Sequence, residues 1–155
     1  MIRREPADGA ASRALFAEYM ELVRERVGAD FVPTERIFAT VEDFDGPDSA
    51  WLVVYDGDRP VGCGGLRPLE PGIGEIKRMF VTASARGRGH GRTLLAELER
   101  LARAAGCRRV RLLTTEVLRE ARALYRSAGY KPVGVATVEG RIELWLEKRL
   151  DEGGA

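Results

Sequence analysis

The segment that most restricts the fold is Arg86-Gly87-Arg88-Gly89-His90-Gly91-Arg92, set between a strand-like stretch and an amphipathic helix. Ahead of it, Glu75-Ile76-Lys77-Arg78-Met79-Phe80-Val81 reads as a strand entered through a Pro71-Gly72 turn. Behind it, Leu94, Leu95, Leu98, Leu101 and Ala102 recur at helical spacing, predicting a helix from Gly91 to Ala105 that Gly106 ends. Glycines at Gly87, Gly89 and Gly91 let successive backbone N–H groups turn to one side, and the helix start adds the positive end of its dipole. Arg86, Arg88 and Arg92 add charge. This is chemistry for a di-anion such as a pyrophosphate.

Spacing narrows the choice of phosphate motif. A dinucleotide fingerprint G-x-G-x-x-G fails in both registers, because its third glycine falls on Arg92 or Leu94. A P-loop fails as well: Gly91-Arg92-Thr93 has no lysine, and Arg86 stands where the first glycine belongs. What remains is Arg86-x-x-Gly89-x-Gly91 between a strand and a helix.

The rest of the chain reads as one α/β domain. Ile2 to Glu5 suits a short edge strand, and Asp8 or Ser12 can cap a helix to about Val27, with Leu15, Phe16, Tyr19, Met20, Leu22 and Val23 in its apolar stripe. Pro33-Thr34-Glu35 opens a shorter helix, and Gly46-Pro47-Asp48 breaks the chain. Trp51 to Tyr55 and Pro60 to Leu66 form a hairpin through Asp56-Gly57-Asp58. Gly62, Gly64 and Gly65 in its second strand predict a close approach or a bend. Arg109 to Thr114 alternates as a strand, Leu118 to Ala128 is helical, and Tyr130 to Val138 and Arg141 to Leu150 are strands joined at Glu139-Gly140. The order is β-α-α-β-β-β-α-β-α-β-β over residues 1–150, with 151–155 expected to fray.

Composition excludes several classes. A chain of 155 residues with 45% apolar content can bury a single core. No apolar run is long enough to span a bilayer, and no apolar stretch follows Arg3-Arg4, so neither a membrane partner nor a signal peptide is expected. Cys63 and Cys107 lack partners at metal-ligand spacing and read as reduced residues of a cytoplasmic protein, with no metal. The net charge of +1 hides an asymmetry: ten acidic against three basic residues from Gly28 to Glu75, and eight arginines against two glutamates from Ser84 to Arg111. Nucleic acid is not expected as a partner, because the overall charge is near zero and no aromatic stacking run accompanies the basic segment.

The Arg86-x-x-Gly89-x-Gly91 loop resembles the acetyl-CoA motif of the GCN5-related N-acetyltransferase (GNAT) superfamily. Glu75 to Val81, the helix with Leu94 and Leu95, and Ala121-x-x-Leu124-Tyr125-x-x-x-Gly129-Tyr130 recur in that family's order, and the element order matches along nearly the whole chain. The resemblance implies a single domain with a mixed, mostly antiparallel central sheet flanked by helices. It implies transfer of an acetyl group from acetyl-CoA, as co-substrate, to a small-molecule or protein amine acceptor by direct attack in a ternary complex. Met79, Phe80 and Val81 would meet the pantetheine arm, with the Met79 amide polarising the thioester carbonyl. Arg86, Gly87, Arg88, Gly89, His90, Gly91 and Arg92 would hold the pyrophosphate.

Two catalytic residues follow from the same resemblance. Glu75 lies eleven residues before Arg86, the spacing of the general-base glutamate in the histone-acetylating branch. Tyr125 matches the position whose phenol lies near the thioester sulfur. Leu118 departs from the pattern, standing where many relatives carry an asparagine, so Thr114, Thr115 or Glu116 would have to replace that polar contact. His90, in a variable position of the loop, is not expected to be catalytic, and Cys63 reads as core. The alternative is a non-catalytic relative that senses acyl-CoA. The acidic surplus hints at a cationic acceptor. The acceptor's identity, the acyl chain and the oligomeric state, a homodimer included, stay open.

Overall fold

The computed structural model describes residues 1–28, 44–115, 118–138 and 140–151. Among these, seven strands form one sheet: β1 (Ile2–Arg4), β2 (Ala50–Asp56), β3 (Arg59–Glu70), β4 (Ile73–Val81), β5 (Arg109–Thr115), β6 (Lys131–Val138) and β7 (Arg141–Arg149). Their order across the sheet is β1-β2-β3-β4-β5-β7-β6. Every neighbouring pair is antiparallel except β4 and β5, which run parallel. The three described α-helices are α1 (Ala10–Val27), α2 (His90–Ala104) and α3 (Arg119–Ser127). This is the α/β domain that the sequence pattern predicted, with the mixed, mostly antiparallel sheet that the family resemblance implied. The helix expected from Pro33 lies, up to residue 43, outside the described residues, as does the tail beyond Asp151.

Both faces of the sheet's centre are covered, which explains why Trp51 to Val54 is apolar without alternation. Leu52 and Val54 join the cluster under α2 with Leu94, Leu95 and Leu98. Trp51 and Val53 join the cluster under α1 with Leu15, Cys63 and Phe80. Leu94, Leu95, Leu98 and Ala102 on α2 are at most 1% exposed. Each large side chain buried this fully contributes about 1.5–3 kcal/mol, an upper figure because unfolded chains already bury some surface.

The start of α1 differs from expectation. Gly9 is its N-cap, and no side chain caps it. Ser12 is instead buried, its hydroxyl accepting a hydrogen bond from the Trp51 indole N–H at 2.7 Å. A buried indole donor needs a partner more than an exposed helix end does, because water serves the latter.

The β3 glycines answer to close packing. A Cβ on Gly64 would stand 2.9 Å from Met79 Cγ and 3.2 Å from Leu98 Cδ1, so α2 rests directly on this strand. On Gly65 it would stand 2.2 Å from a Phe44 ring carbon and 2.7 Å from a Trp51 ring carbon. Those rings are themselves in contact, with centroids 4.9 Å apart, so neither yields alone. Gly65→Ala is therefore expected to destabilise the protein by about 1–3 kcal/mol, the usual cost of overpacking. Urea unfolding of the purified variant measures it, and a wild-type midpoint at equal slope would show that the two rings reorganise freely.

Candidate active site

Strand β4 stays paired with β3 along its length but leaves β5 halfway. Its parallel pairing covers only Ile73 to Ile76, against Arg109 to Leu112. Beyond that point β5 continues to Thr115 on β7. Beside the freed part of β4 lies a cleft of about 530 Å³, lined by Met79 to Val81 and by residues of α1, the start of α2 and α3.

A bulge sets what β4 presents to that cleft. The β3–β4 register slips between Cys63↔Phe80 and Gly65↔Lys77, so β4 carries one extra residue there. Arg78 in this interval has φ 57°, the one positive value among described residues other than glycine. Strict alternation would put Ile76 and Phe80 on one face. With the extra residue, Ile76, Met79 and Val81 pack into the α2 cluster while Phe80 packs into the α1 cluster. The bulge thus re-aims three consecutive side chains.

The glycine and arginine loop forms one end of the cleft. Gly87 and Gly89 adopt φ 80° and 84°, left-handed values that glycine reaches without a Cβ clash. Gly89 is the N-cap of α2, so the unpaired amides of that helix start at the cleft. Gly91 allows α2 to approach α3, since a Cβ there would stand 3.0 Å from Leu124 Cδ2. Arg92 donates to the Ser127 hydroxyl at 3.0 Å, a second tie between those helices. Arg86 turns back on β4, its Nε donating to the Val81 carbonyl at 3.1 Å. Nε2 of His90 is buried and has no hydrogen-bond partner among the described residues, although it lines the cleft. Left-handed glycines, free helix-start amides and an orphaned imidazole nitrogen together fit an anionic, hydrogen-bonding ligand such as a pyrophosphate.

Of the cofactor residues expected from the sequence, Met79, Phe80, Val81, Arg86, Gly87, Gly89, His90, Gly91 and Arg92 line the cleft. Arg88 does not: it is exposed and pairs with Asp56 at 3.2 Å. Leu118 lines the cleft in place of a polar group. The Cys63 thiol is buried, which pushes its pKa up to about 12, so it stays protonated in the core.

Tyr125 is 6% exposed and lines the same cleft. Burial, with a smaller contribution from the neighbouring Tyr19, raises its pKa above the usual phenol value, so it keeps its proton at neutral pH. Its ring meets Tyr130 at 5.9 Å. Tyr130 donates to the buried Glu99 carboxylate at 2.8 Å, and Lys148 donates to the other oxygen of that carboxylate at 2.9 Å. This satisfied polar network holds the ring behind Tyr125 in one place.

Glu75 lies elsewhere. It sits in the closed part of the sheet, 4% exposed, and accepts from Arg67 Nε at 2.8 Å. It lines neither the large cleft nor a second, smaller one of about 160 Å³ between α1 and the sheet.

Sequence reasoning missed two residues that the fold brings to the site. Tyr19 and Phe80 line both clefts, and their rings touch edge to face at 5.6 Å. Its only signal was a hydroxyl within an apolar helical stripe. Glu120, on the first turn of α3, accepts two hydrogen bonds from Arg26 of α1, at 2.5 and 2.7 Å, with Arg86 3.8 Å away. The Arg26 contact holds the Glu120 carboxyl at about 2. A residue pair 94 positions apart leaves no local pattern to read.

Residues 13–130 match the Acetyltransferase (GNAT) family. The chain belongs to that family. It places the protein among acetyl-CoA-dependent acyltransferases. Over 108 residues the chain is 43% identical to an IAA acetyltransferase of Azospirillum brasilense, a match covering 67% of this chain and 70% of that protein. It is 37% identical over 89 residues to the uncharacterized N-acetyltransferase YjgM of Escherichia coli (strain K12), covering 56% of this chain and about half, 53%, of that relative. Its fold is similar to that of an aminoglycoside 6'-N-acetyltransferase solved in complex with coenzyme A, with a TM-score of 0.71 over 97% of both chains at 18% identity.

The cradle reading of the GNAT loop makes a direct prediction. Gly89→Glu puts a side chain on a left-handed residue and a like charge beside the phosphates. Acetyl-CoA binding, followed by calorimetry, is expected to be lost while circular dichroism shows a folded protein. Unchanged affinity would mean that the cofactor's phosphates lie elsewhere.

Proposed function

We propose that this protein transfers an acetyl group from acetyl-CoA to an amine by direct attack in a ternary complex. The observation that carries this reading is a pair of clefts that share Tyr19 and Phe80 in their linings, with Tyr125 in the lining of the larger. The thioester enters from the phosphate cradle and the amine from the α1 side, so the two reactants come together without a covalent enzyme intermediate.

In this scheme the pantetheine arm lies along Met79 to Val81, where β4 has no β5 partner. The Met79 N–H donates to the thioester carbonyl oxygen and stabilises the negative charge that develops there. The amine nitrogen forms a bond to the carbonyl carbon, and the carbon–sulfur bond then breaks. The departing thiolate takes the phenolic proton of Tyr125, and the proton that the nitrogen loses as the amide forms passes to solvent, from which Tyr125 is reprotonated. Near neutral pH a basic amine arrives protonated and must lose that proton before attack. Glu75 is the proposed base on its spacing to Arg86; since it lines neither cleft, the proton reaches it through water.

Tyr125→Phe keeps the ring and its contact with Tyr130 but removes the proton. It is expected to lower kcat by about 10²–10⁴-fold with little change in acetyl-CoA affinity. A thiol-release assay with a broad amine panel measures it, and a rate close to wild type would make Tyr125 a structural residue.

Glu75→Gln retains an oxygen for Arg67 and cannot accept the amine's proton. The expected result is a loss in kcat on the order of 10²-fold for a strongly basic amine. A weakly basic amine, already neutral in the assay, should be less affected. Near-normal rates for strongly and weakly basic amines alike would remove Glu75 from the mechanism.

A further inference from the structure

The second cleft is lined by rings, and two local features of the sequence deliver part of them there. The β4 bulge turns Phe80 to the α1 side. Gly65 of β3 leaves room for Phe44 and Trp51, since a Cβ at that position would stand 2.2 and 2.7 Å from ring carbons of the two. Phe16 and Tyr19 come from α1, three residues apart and so on one side of the helix. Five aromatic side chains thus stand among the described lining of a cleft of about 160 Å³.

These rings are held by one another. Phe44 and Trp51 meet with centroids 4.9 Å apart, and Tyr19 meets Phe80 edge to face at 5.6 Å. Phe16 packs on Tyr19 at 6.2 Å and carries the Arg78 guanidinium 5.0 Å from its centroid. Two polar groups of the lining are committed within the protein. The Trp51 indole N–H donates to the Ser12 hydroxyl at 2.7 Å, and the Cys63 thiol donates to the Arg78 carbonyl at 3.8 Å. What Trp51, Phe44 and Phe16 offer a ligand is therefore aromatic surface in a set orientation. Rings prefer offset and edge-to-face partners, so such walls favour a planar ring over a saturated body of similar length. An apolar cavity of about 150 Å³ takes a benzene. The volume of this cleft suits one six-membered ring.

We infer that the acceptor is an arylalkylamine, a primary amine joined by a short chain to a single aromatic ring, with that ring held in the second cleft. This rests on the reading of the two clefts as cofactor and acceptor sites. The ring lies against Trp51, Phe44 and Phe16, and the chain leads toward Tyr19 and Phe80, the residues this cleft shares with the larger one. There the amine nitrogen displaces coenzyme A from the acetyl carbon by the scheme above, giving the N-acetylated arylalkylamine. Phe16 is thus a specificity residue: it meets the acceptor's ring and takes no part in bond making or proton transfer.

Product binding and turnover, measured separately, distinguish this inference from the transfer reading. N-(2-phenylethyl)acetamide and N-(2-cyclohexylethyl)acetamide, both neutral and alike in length, are titrated calorimetrically into the coenzyme A-loaded protein. The phenyl compound is expected to bind on the order of tenfold tighter, the scale of two aromatic contacts. Phe16→Leu keeps an apolar side chain without the ring and should cut that preference to about threefold or less. Ala7→Leu adds bulk to the lining of the same cleft and should weaken the phenyl compound on the order of tenfold. Circular dichroism and coenzyme A affinity check that both variants fold. Equal binding of the two compounds, no binding of the phenyl compound, a preference undiminished in Phe16→Leu, or an affinity unchanged in Ala7→Leu overturns the inference. So does acetylation of aliphatic amines but not of 2-phenylethylamine, an outcome that leaves the transfer reading intact. If the phenyl compound binds as expected but no amine, 2-phenylethylamine included, is acetylated from acetyl-CoA, the aromatic site stands and the transfer reading falls.

Discussion

A pair of parallel strands that parts midway leaves backbone groups facing each other across a gap, and such groups must find other partners. In this protein the separation of β4 from β5 beyond Ile76 and Leu112 is the constraint on which the rest of the site depends. It exposes one edge of Met79 to Val81, beside the cleft, to whatever enters. An extended ligand with amide groups, such as a pantetheine arm, is the partner that the proposed function supplies. The loop from Arg86 to Arg92 then stands at the end of that edge, where left-handed glycines and the start of α2 offer amides to an anion.

The cleft is bounded by helices that the fold must hold at a fixed separation. Arg26 and Glu120 link α1 to α3 across the cleft, and Arg92 with Ser127 links α2 to α3. Exposed ion pairs contribute little to stability, so the value of the first link lies in position rather than energy. It sets Tyr19 of α1 against Tyr125 of α3. From behind, Tyr130, Glu99 and Lys148 form a buried network whose groups are all paired, which is the condition under which polar groups in a core specify one arrangement.

One extra residue in β4 couples these features. The bulge at Arg78 gives Phe80 to the α1 face and leaves Met79 and Val81 on the other, so a single strand serves both clefts. The strain at Arg78 and the contact of Gly64 with Met79 and Leu98 belong to the same local solution: a strand bent and shifted by one residue needs a partner strand without side chains in the way.

The sequence by itself determined the order of the described strands and α-helices, the apolar face of α2 and the glycine and arginine loop ahead of it, because each of these is a local property. Glycine at positions 87, 89 and 91 permits one loop geometry, and leucines at helical spacing on α2 bury one face, whatever the rest of the chain does. Tertiary structure alone decided the rest. Arg86 and Arg88 look alike in the motif, yet one braces β4 and the other turns to Asp56, since only packing tells a loop's inner side from its outer. Tyr19 became a site residue because α1 lies over the end of β4, and Glu120 became a clasp because Arg26 reaches it from 94 residues away. The spacing that selected Glu75 counts residues along a strand, but strand pairing with β3 and β5 keeps that position in the closed half of the sheet beside Arg67. The bulge had no signature at all, because an extra residue in a strand is defined only against the register of its neighbour.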